Sequence, residues 1–580
     1  MILTSTDWLY IIGYFAVTII LGVLFSKRAG TSIQSFFLSG RSLPWWIVGT
    51  SMVATTFSAN TPLAVTGMVA RDGIAGNWLW WNMVLSGIMT VFLYARLWRR
   101  AEVLTDVEFT EIRYAGKPAA FLRGFRALYL AVPINCIIMG WGTLAMVKIV
   151  TMTVGADRWI ALIVCLAVTV IYSAVSGFWG VVFNDVFQFV IAMIGSILLA
   201  IFAVRGVGGI GALKAQVAAA SPLGADVLNF MPRLDGSWMP VSTILVYIGV
   251  IWWAAWYPGA EPGGGGYIAQ RMFAAKDEKH SQLAALWFNI AHYALRPWPW
   301  IIVALVSIVA FPEATDNEAG YVAVMMQYMP PSIRGLMLAA FAAAFMSTIS
   351  TNLNVGTSYF INDFYMRFIK KDAGQRHYVL VSRITTFILL VIAALFALMM
   401  TTIVGAFKFM MTIGAGTGLV YILRWFWWRV NAWSEVTAMA VSFVTATTLM
   451  IMGYSSGSNK GFAVLMIVTT VVSTAAWVAV TFVTKPVPDE HLERFYRRVQ
   501  PGGRLWKRIS DRIPEGELAF AKPHIGLDFL NWILGSLSVW LVLFGIGRLI
   551  LGPVSHGYAF LAGGIALFAA IYTGLSKAEH

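Results

Sequence analysis

The feature that most limits this chain is a recurrence: apolar stretches of roughly 20 residues follow one another along nearly its whole length, parted by short polar loops. A helix of that length, rising about 1.5 Å per residue, crosses the hydrocarbon core of a bilayer. Inside lipid every backbone N–H and C=O needs a partner within the protein, so helices are the default. Barrel strands would read as short alternating segments, and none dominate. The composition agrees, with 59% hydrophobic residues, 25 Trp and 12% charged residues, against roughly 25% charged in a soluble protein. The chain is expected to be an all-α polytopic membrane protein.

Periodicity and loop punctuation give about 15 candidate spans. They fall near 7–26, 44–70, 76–98, 119–151, 158–176, 179–204, 240–270, 282–310, 332–366, 378–402, 404–428, 433–453, 461–484, 526–551 and 556–576. The net charge of +14 is distributed over alternate loops, at Lys27–Arg28, Arg96–Arg99–Arg100, Lys276–Lys279, Lys370–Lys371 and Arg494–Arg497–Arg498. That is the bias of cytoplasmic loops, not a nucleic-acid stripe. It places the N-terminus outside, the C-terminus in the cytoplasm and the acidic stretch Glu313–Asp316–Glu318 outside. The first span carries Asp7 and is followed by Lys27–Arg28 rather than a small-residue cleavage site, so it reads as a retained span and not a signal peptide. Cys136 and Cys165 lie in apolar segments and imply neither a disulfide framework nor a thiolate metal site.

Two spans are internally broken. Span 44–70 holds Ser51-Met-Val-Ala-Thr-Thr-Phe-Ser-Ala-Asn-Thr-Pro62, and span 240–270 holds Tyr257-Pro-Gly-Ala-Glu-Pro-Gly-Gly-Gly-Gly-Tyr267. Proline removes a donor and glycine adds backbone freedom, so neither run sustains a helix. Unwound backbone at membrane depth is tolerated where it lines a cavity. The breaks open two successive five-span groups, 44–204 and 240–428, and paired interruptions in matching positions point to a transporter binding site. The remaining divisions are 1–43, an N-terminal span with its loop; 429–485, two peripheral spans; 486–525, a basic cytoplasmic linker; and 526–580, a two-span extension. The linker reads as a solvated loop with an amphipathic helix, in preference to a lipid-facing basic one.

Span 332–366 carries Ala344, Ser347, Thr348 and Thr351 at i, i+3, i+4 and i+7, one helix face, with Ser350 beside it. Hydroxyls and free carbonyls, such as those near Ala54 and Phe57 in the first break, are hard oxygen ligands suited to a small hard cation. Asp185, in Val-Val-Phe-Asn-Asp-Val-Phe-Gln-Phe, is a membrane carboxylate and hence a second candidate for ion binding.

These segments carry a resemblance. Arg41-Ser-Leu-Pro-Trp-Trp46 leading into Ser51–Ser58, then Asn184-Asp-Val-Phe-Gln188, Tyr267-Ile-Ala-Gln-Arg271, and Ala344–Asn354 ending in Asp363 resemble, in order and spacing, the sodium/solute symporter family. That family includes sodium–glucose cotransporters and bacterial proline, sialic acid and galactose symporters. The resemblance covers about residues 5–485 and implies the leucine-transporter-like fold, with two inverted five-helix repeats plus one N-terminal and about four C-terminal spans. It implies Na+ as coupling ion, held by backbone oxygens of Ala54, Phe57 and Ala344 and hydroxyls of Ser347 and Thr348. It also implies a second Na+ at Asp185, Ser350 and Thr351, and a bacterial inner membrane as location.

The solute positions depart from the family's sugar transporters. An acid expected in the third span is replaced by Trp80, the aromatic–Gly–Asn run becomes Glu261-Pro-Gly-Gly-Gly-Gly, and a lysine expected in 282–310 becomes His292. Trp78, Trp80, Trp81, Trp252, Trp253 and Trp256 could stack on a sugar face, although membrane Trp residues more often anchor and pack. Asn60, Thr61, Trp80, Asn82, Glu261 and His292 are the expected solute contacts. A neutral sugar or polyol is the first reading; a sugar acid, amino acid or other carboxylate, drawn by His292 with Arg296, is the second. The expected partners are this small polar solute and membrane lipid, with no nucleic acid, and the chain is expected to act as a monomer or weak homo-oligomer. A membrane enzyme would need a metal cluster or a nucleophile with its base, and the seven histidines show no such spacing. A solute sensor of the same fold stays open.

Overall fold

The computed structural model describes residues 3–26, 43–103, 106–175, 178–233, 241–254, 262–454, 458–520 and 524–577. The first span is α1 (Ser5–Ser26). The first broken span is α2 (Trp45–Thr55) and α3 (Asn60–Asp72). Then come α4 (Ile74–Ala101), α5 (Gly116–Val154), α6 (Arg158–Val175), α7 (Phe178–Gly206) and a short helix α8 (Ile210–Ala220). The second broken span is α9 (Val241–Gly249) and α10 (Gly266–Ala274). It is followed by α11 (Glu278–Ala310), α12 (Pro331–Ile369), α13 (Gln375–Met399), α14 (Ile403–Phe426), α15 (Ala432–Ile451) and α16 (Asn459–Val483). A linker helix α17 (Asp489–Val499) precedes α18 (Ile525–Leu551) and α19 (Val554–Lys577). Among the described residues eleven helices are long and apolar enough to cross a membrane.

Local chemistry sets the helix ends. Asp277, Thr402, Asn431 and Ser458 each accept a backbone N–H from the first turn of α11, α14, α15 and α16. Pro331 opens α12, where its missing N–H would have no partner. Pro133 lies inside α5 and is absorbed by one wide turn at Leu130–Ile134.

The broken helices sit at the centre. α11 packs along both α2 and α3, α12 packs against α1, α5 and α7, and α18 packs against α4 and α11. Trp532 and Trp540 of α18 donate to the carbonyls of Leu85 and Trp81 at 2.6 and 3.0 Å, so the C-terminal pair braces α4. Asp7 of α1 is fully buried and paired with Arg334 of α12 at 2.6 Å. At the end away from the basic loops, Glu318 is buried, pairs with Lys148 at 2.7 Å and accepts the first N–H groups of α14 from Ile403 and Val404. A carboxylate at a helix N-terminus is favourably placed against the dipole.

The linker departs from the solvated loop expected for it. Leu492, Phe495, Tyr496 and Val499 of α17 are buried. Phe495 stacks on Trp506, whose indole donates to the Trp425 carbonyl at 2.7 Å. Arg113 lies against both rings, about 5 Å from each centroid. The apolar face packs on protein because the ends of α4 and α14, with the segment after α4, leave an aromatic surface of Trp98, Trp425 and Phe109.

Candidate ion and solute site

At the first break the chain leaves α2 through Thr56, Phe57, Ser58 and Ala59 before α3 begins. The Phe57 N–H turns back to the Ala54 carbonyl at 3.0 Å and the Thr56 N–H to the Met52 carbonyl at 3.1 Å, closing the half-helix. The last carbonyls of α2 carry the negative end of its dipole, a favourable place for a cation. Opposite them lies the Ala344–Thr348 face of α12. Between the two is a cavity of about 10 Å³, room for roughly one water-sized particle. Ala54, Thr55, Phe57, Gln188, Phe189, Ala344, Ser347 and Thr348 line it.

All the residues expected around the first ion therefore meet at one small cavity. None of the described lining residues is ionisable, so the oxygens on offer are neutral. The Phe57 ring stands 6.0 to 6.3 Å from Phe189, Trp300 and Phe341, an apolar wall on one side. Thr55 and Gln188 were not singled out in the sequence, although both lie in the motif runs quoted from it. Thr55 donates to the Ser51 carbonyl at 2.9 Å and accepts from Arg271 at 2.6 Å. Arg271 also donates to Ser51 Oγ at 3.0 Å, tying α10 to α2, so the two broken helices are joined directly.

The second expected ion set is less complete. Ser350 is buried and its hydroxyl has no hydrogen-bond partner among the described residues, and Thr351 is half-buried one turn past Ser347. The backbone of Asp185 belongs to α7, and its side chain lies outside the described residues.

Several expected solute contacts gather beside the same break. His292 Nδ1 is 3.2 Å from Thr56 Oγ1, and the Trp80 ring meets His292 edge-on at 5.5 Å. Arg296, one turn on, donates to the Val53 carbonyl and to Thr56 Oγ1, both at 3.2 Å. Asn60 opens α3 with its amide oxygen buried and without a partner among the described residues, and Thr61 is half-buried beside it. Trp80 donates to Asn77 at 3.0 Å. Asn82 gives both amide hydrogens to the Trp78 and Leu79 carbonyls of its own helix. Glu261 lies outside the described residues, as does Trp256. Trp78 and Trp81 pack against Trp540 and Phe544.

A helical bundle with two interrupted spans and a small cavity between a broken helix and a hydroxyl-bearing face has the architecture of a secondary active transporter of the leucine-transporter-like fold. A solved structure of a substrate-bound, outward-open Na+-coupled sialic acid symporter superposes with a TM-score of 0.64 at 20% identity, covering 84% of this chain and 99% of that one. The sequence model described as the sodium:solute symporter family matches residues 36–445, and the chain belongs to that family. Its coupling ion is Na+. It is 24% identical to the rabbit (Oryctolagus cuniculus) sodium/glucose cotransporter 1, over 84% of this chain and 80% of that protein. It is 28% identical to the Vibrio parahaemolyticus sodium/glucose cotransporter, over 76% of this chain and 84% of the relative.

Proposed function

We propose that this protein couples inward Na+ movement to uptake of a neutral sugar or polyol by alternating access. The observation that supports this reading is the cavity at the first break, where Ala54, Thr55 and Phe57 from the end of α2 and Ala344, Ser347 and Thr348 of α12 line one small space. The names of the rabbit and Vibrio relatives, both sodium/glucose cotransporters, favour a sugar.

The first Na+ is held by Ala54, Phe57, Ala344, Ser347 and Thr348, and a second by Asp185, Ser350 and Thr351. Bound Na+ ties α2 to α12, which favours the outward-open state and orders the solute pocket. The solute sits beside the break, against Asn60, Thr61, Trp80, Asn82, Glu261 and His292. Its binding closes the outer side, and sodium leaving into a low-sodium cytoplasm releases the tie. Each Na+ moving down about 100 mV supplies roughly 2.3 kcal/mol, before its concentration gradient is counted. The chain works as a monomer or weak homo-oligomer in a bacterial inner membrane, with its N-terminus outside and its basic loops in the cytoplasm.

Thermal stabilisation of the purified full chain across hexoses, polyols and hexuronates, in Na+ against K+, tests this. Stabilisation by a neutral sugar in Na+ alone is expected. Stabilisation by hexuronates alone would move the solute to the carboxylate class, and stabilisation regardless of cation would point to a sensor.

A further inference from the structure

The lining of the ion cavity includes one side chain that the sodium assignment leaves without a task. Gln188 lies on α7, a third element beside the broken helix and α12, and it is only 2% exposed. Gln188 lines the cavity shared by Ala54, Phe57, Ser347 and Thr348, and its buried Nε2 has no hydrogen-bond partner among the described residues.

A buried amide N–H with no partner among the described residues is costly to retain, and an aliphatic side chain of similar length would fill the same space without that penalty. The surroundings offer a reason to keep it. The described lining holds no charged group, and Phe57 and Phe189 make one side of the cavity apolar. A dehydrated cation there needs neutral oxygen donors in place of its water shell. An amide has one such oxygen, and a half-turn about its last torsion exchanges oxygen and nitrogen without changing its shape.

We propose that Gln188 is a ligand of the transported Na+, giving its amide oxygen to the ion in the cavity at the first break. The ion then bridges three elements, α2, α12 and α7, and not two. This rests on the reading of that cavity as the sodium site. It adds a donor of fixed reach, so Gln188 sets how well Na+ is preferred over the smaller Li+.

The test is Na+ and Li+ titration of the purified full chain by thermal stabilisation, followed by solute titration at saturating Na+. Gln188→Met should raise the Na+ half-point about tenfold, the scale for losing one oxygen donor to a charged group. It should also change the Na+/Li+ ratio and leave solute affinity at saturating Na+ as in the wild type. A residue that only packs would alter stability without ions but not that ratio. Gln188→Glu, assayed at about pH 8.5, should lower the Na+ half-point severalfold by adding charge to the same oxygen position. If Gln188→Met does not fold, Gln188→Glu decides, and a half-point that fails to fall overturns the proposal. A wild-type half-point and ratio in Gln188→Met, with Ser347→Ala/Thr348→Ala still shifting the half-point, overturns the role of Gln188 and leaves the sodium site standing. Wild-type behaviour in all of these variants overturns the sodium site and the proposal together.

Discussion

Replacing Ser347 and Thr348 together by alanine removes two hydroxyl oxygens from a cavity whose described lining carries no charge. An interaction between a neutral oxygen and a charged group contributes roughly 1.5–3 kcal/mol net. At about 1.4 kcal/mol per factor of ten, each hydroxyl accounts for a ten- to hundredfold change in sodium affinity. The two are sequence neighbours on one face and will not add fully, and water can replace part of what is lost. We therefore expect the double variant to raise the Na+ concentration for half-maximal stabilisation at least about a hundredfold. Ser347 is 6% exposed; Ser347→Ala exchanges a hydroxyl for hydrogen, Thr348→Ala removes a hydroxyl and a methyl, and alanine favours the helix, so folding without Na+ should change little. The assay is a Na+ titration of thermal stability, paralleled by Na+ activation of uptake in proteoliposomes. A half-point within about twofold of the wild type in both would refute the assignment of these hydroxyls to the ion.

Arg296→Met removes the donors to the Val53 carbonyl and Thr56, while Arg296→Lys keeps the charge without the fork. Both should weaken solute-induced stabilisation, Met by about tenfold or more and Lys by less, and equal wild-type titrations would remove Arg296 from the organisation of the break. Trp506→Ala deletes the stack on Phe495 and the hydrogen bond to Trp425, a loss of about 3–5 kcal/mol for a buried Trp. Trypsin should then cut between residues 486 and 520 faster than in the wild type, and an unchanged rate would contradict the docked linker. Burial, reinforced by the charges of Arg494 and Arg113 and opposed by its hydrogen bond to the Ile112 carbonyl, holds His491 below its usual pKa of 6.5. The docked linker thus keeps a neutral imidazole, and the undocked one takes up a proton more readily as pH falls below about 6.5. Proteolysis of this segment should accelerate from about pH 7.5 to 5.5 in the wild type and less in His491→Gln.

The spans were legible because lipid permits little else: each expected stretch corresponds to a helix or a broken pair, within a few residues. The breaks were legible because Pro62 and the glycine run before Tyr267 cannot continue a helix. Ser347 and Thr348 were readable as a stripe, and the structure brings them to Ala54 and Phe57. The amphipathic helix of the linker is legible, with Leu492, Phe495, Tyr496 and Val499 at i, i+3, i+4 and i+7, but its docking is not, since nothing local says which surface receives that face. α8 is not legible because a helix of 11 residues lacks the length signal of a span. The buried cluster of Arg126 and Arg424, each 3.6 Å from Glu435, is invisible in sequence. Its members come from helices up to about 300 residues apart, and only tertiary packing joins them.

The most direct test of the whole account is uptake by proteoliposomes under an imposed inward Na+ gradient, with an equal K+ gradient as control. Na+ coupling at the first break predicts accumulation of a neutral sugar above its external concentration with Na+ only, collapsed by a sodium ionophore and by Ser347→Ala/Thr348→Ala. Accumulation that persists in K+, or that ignores the double variant, would contradict it.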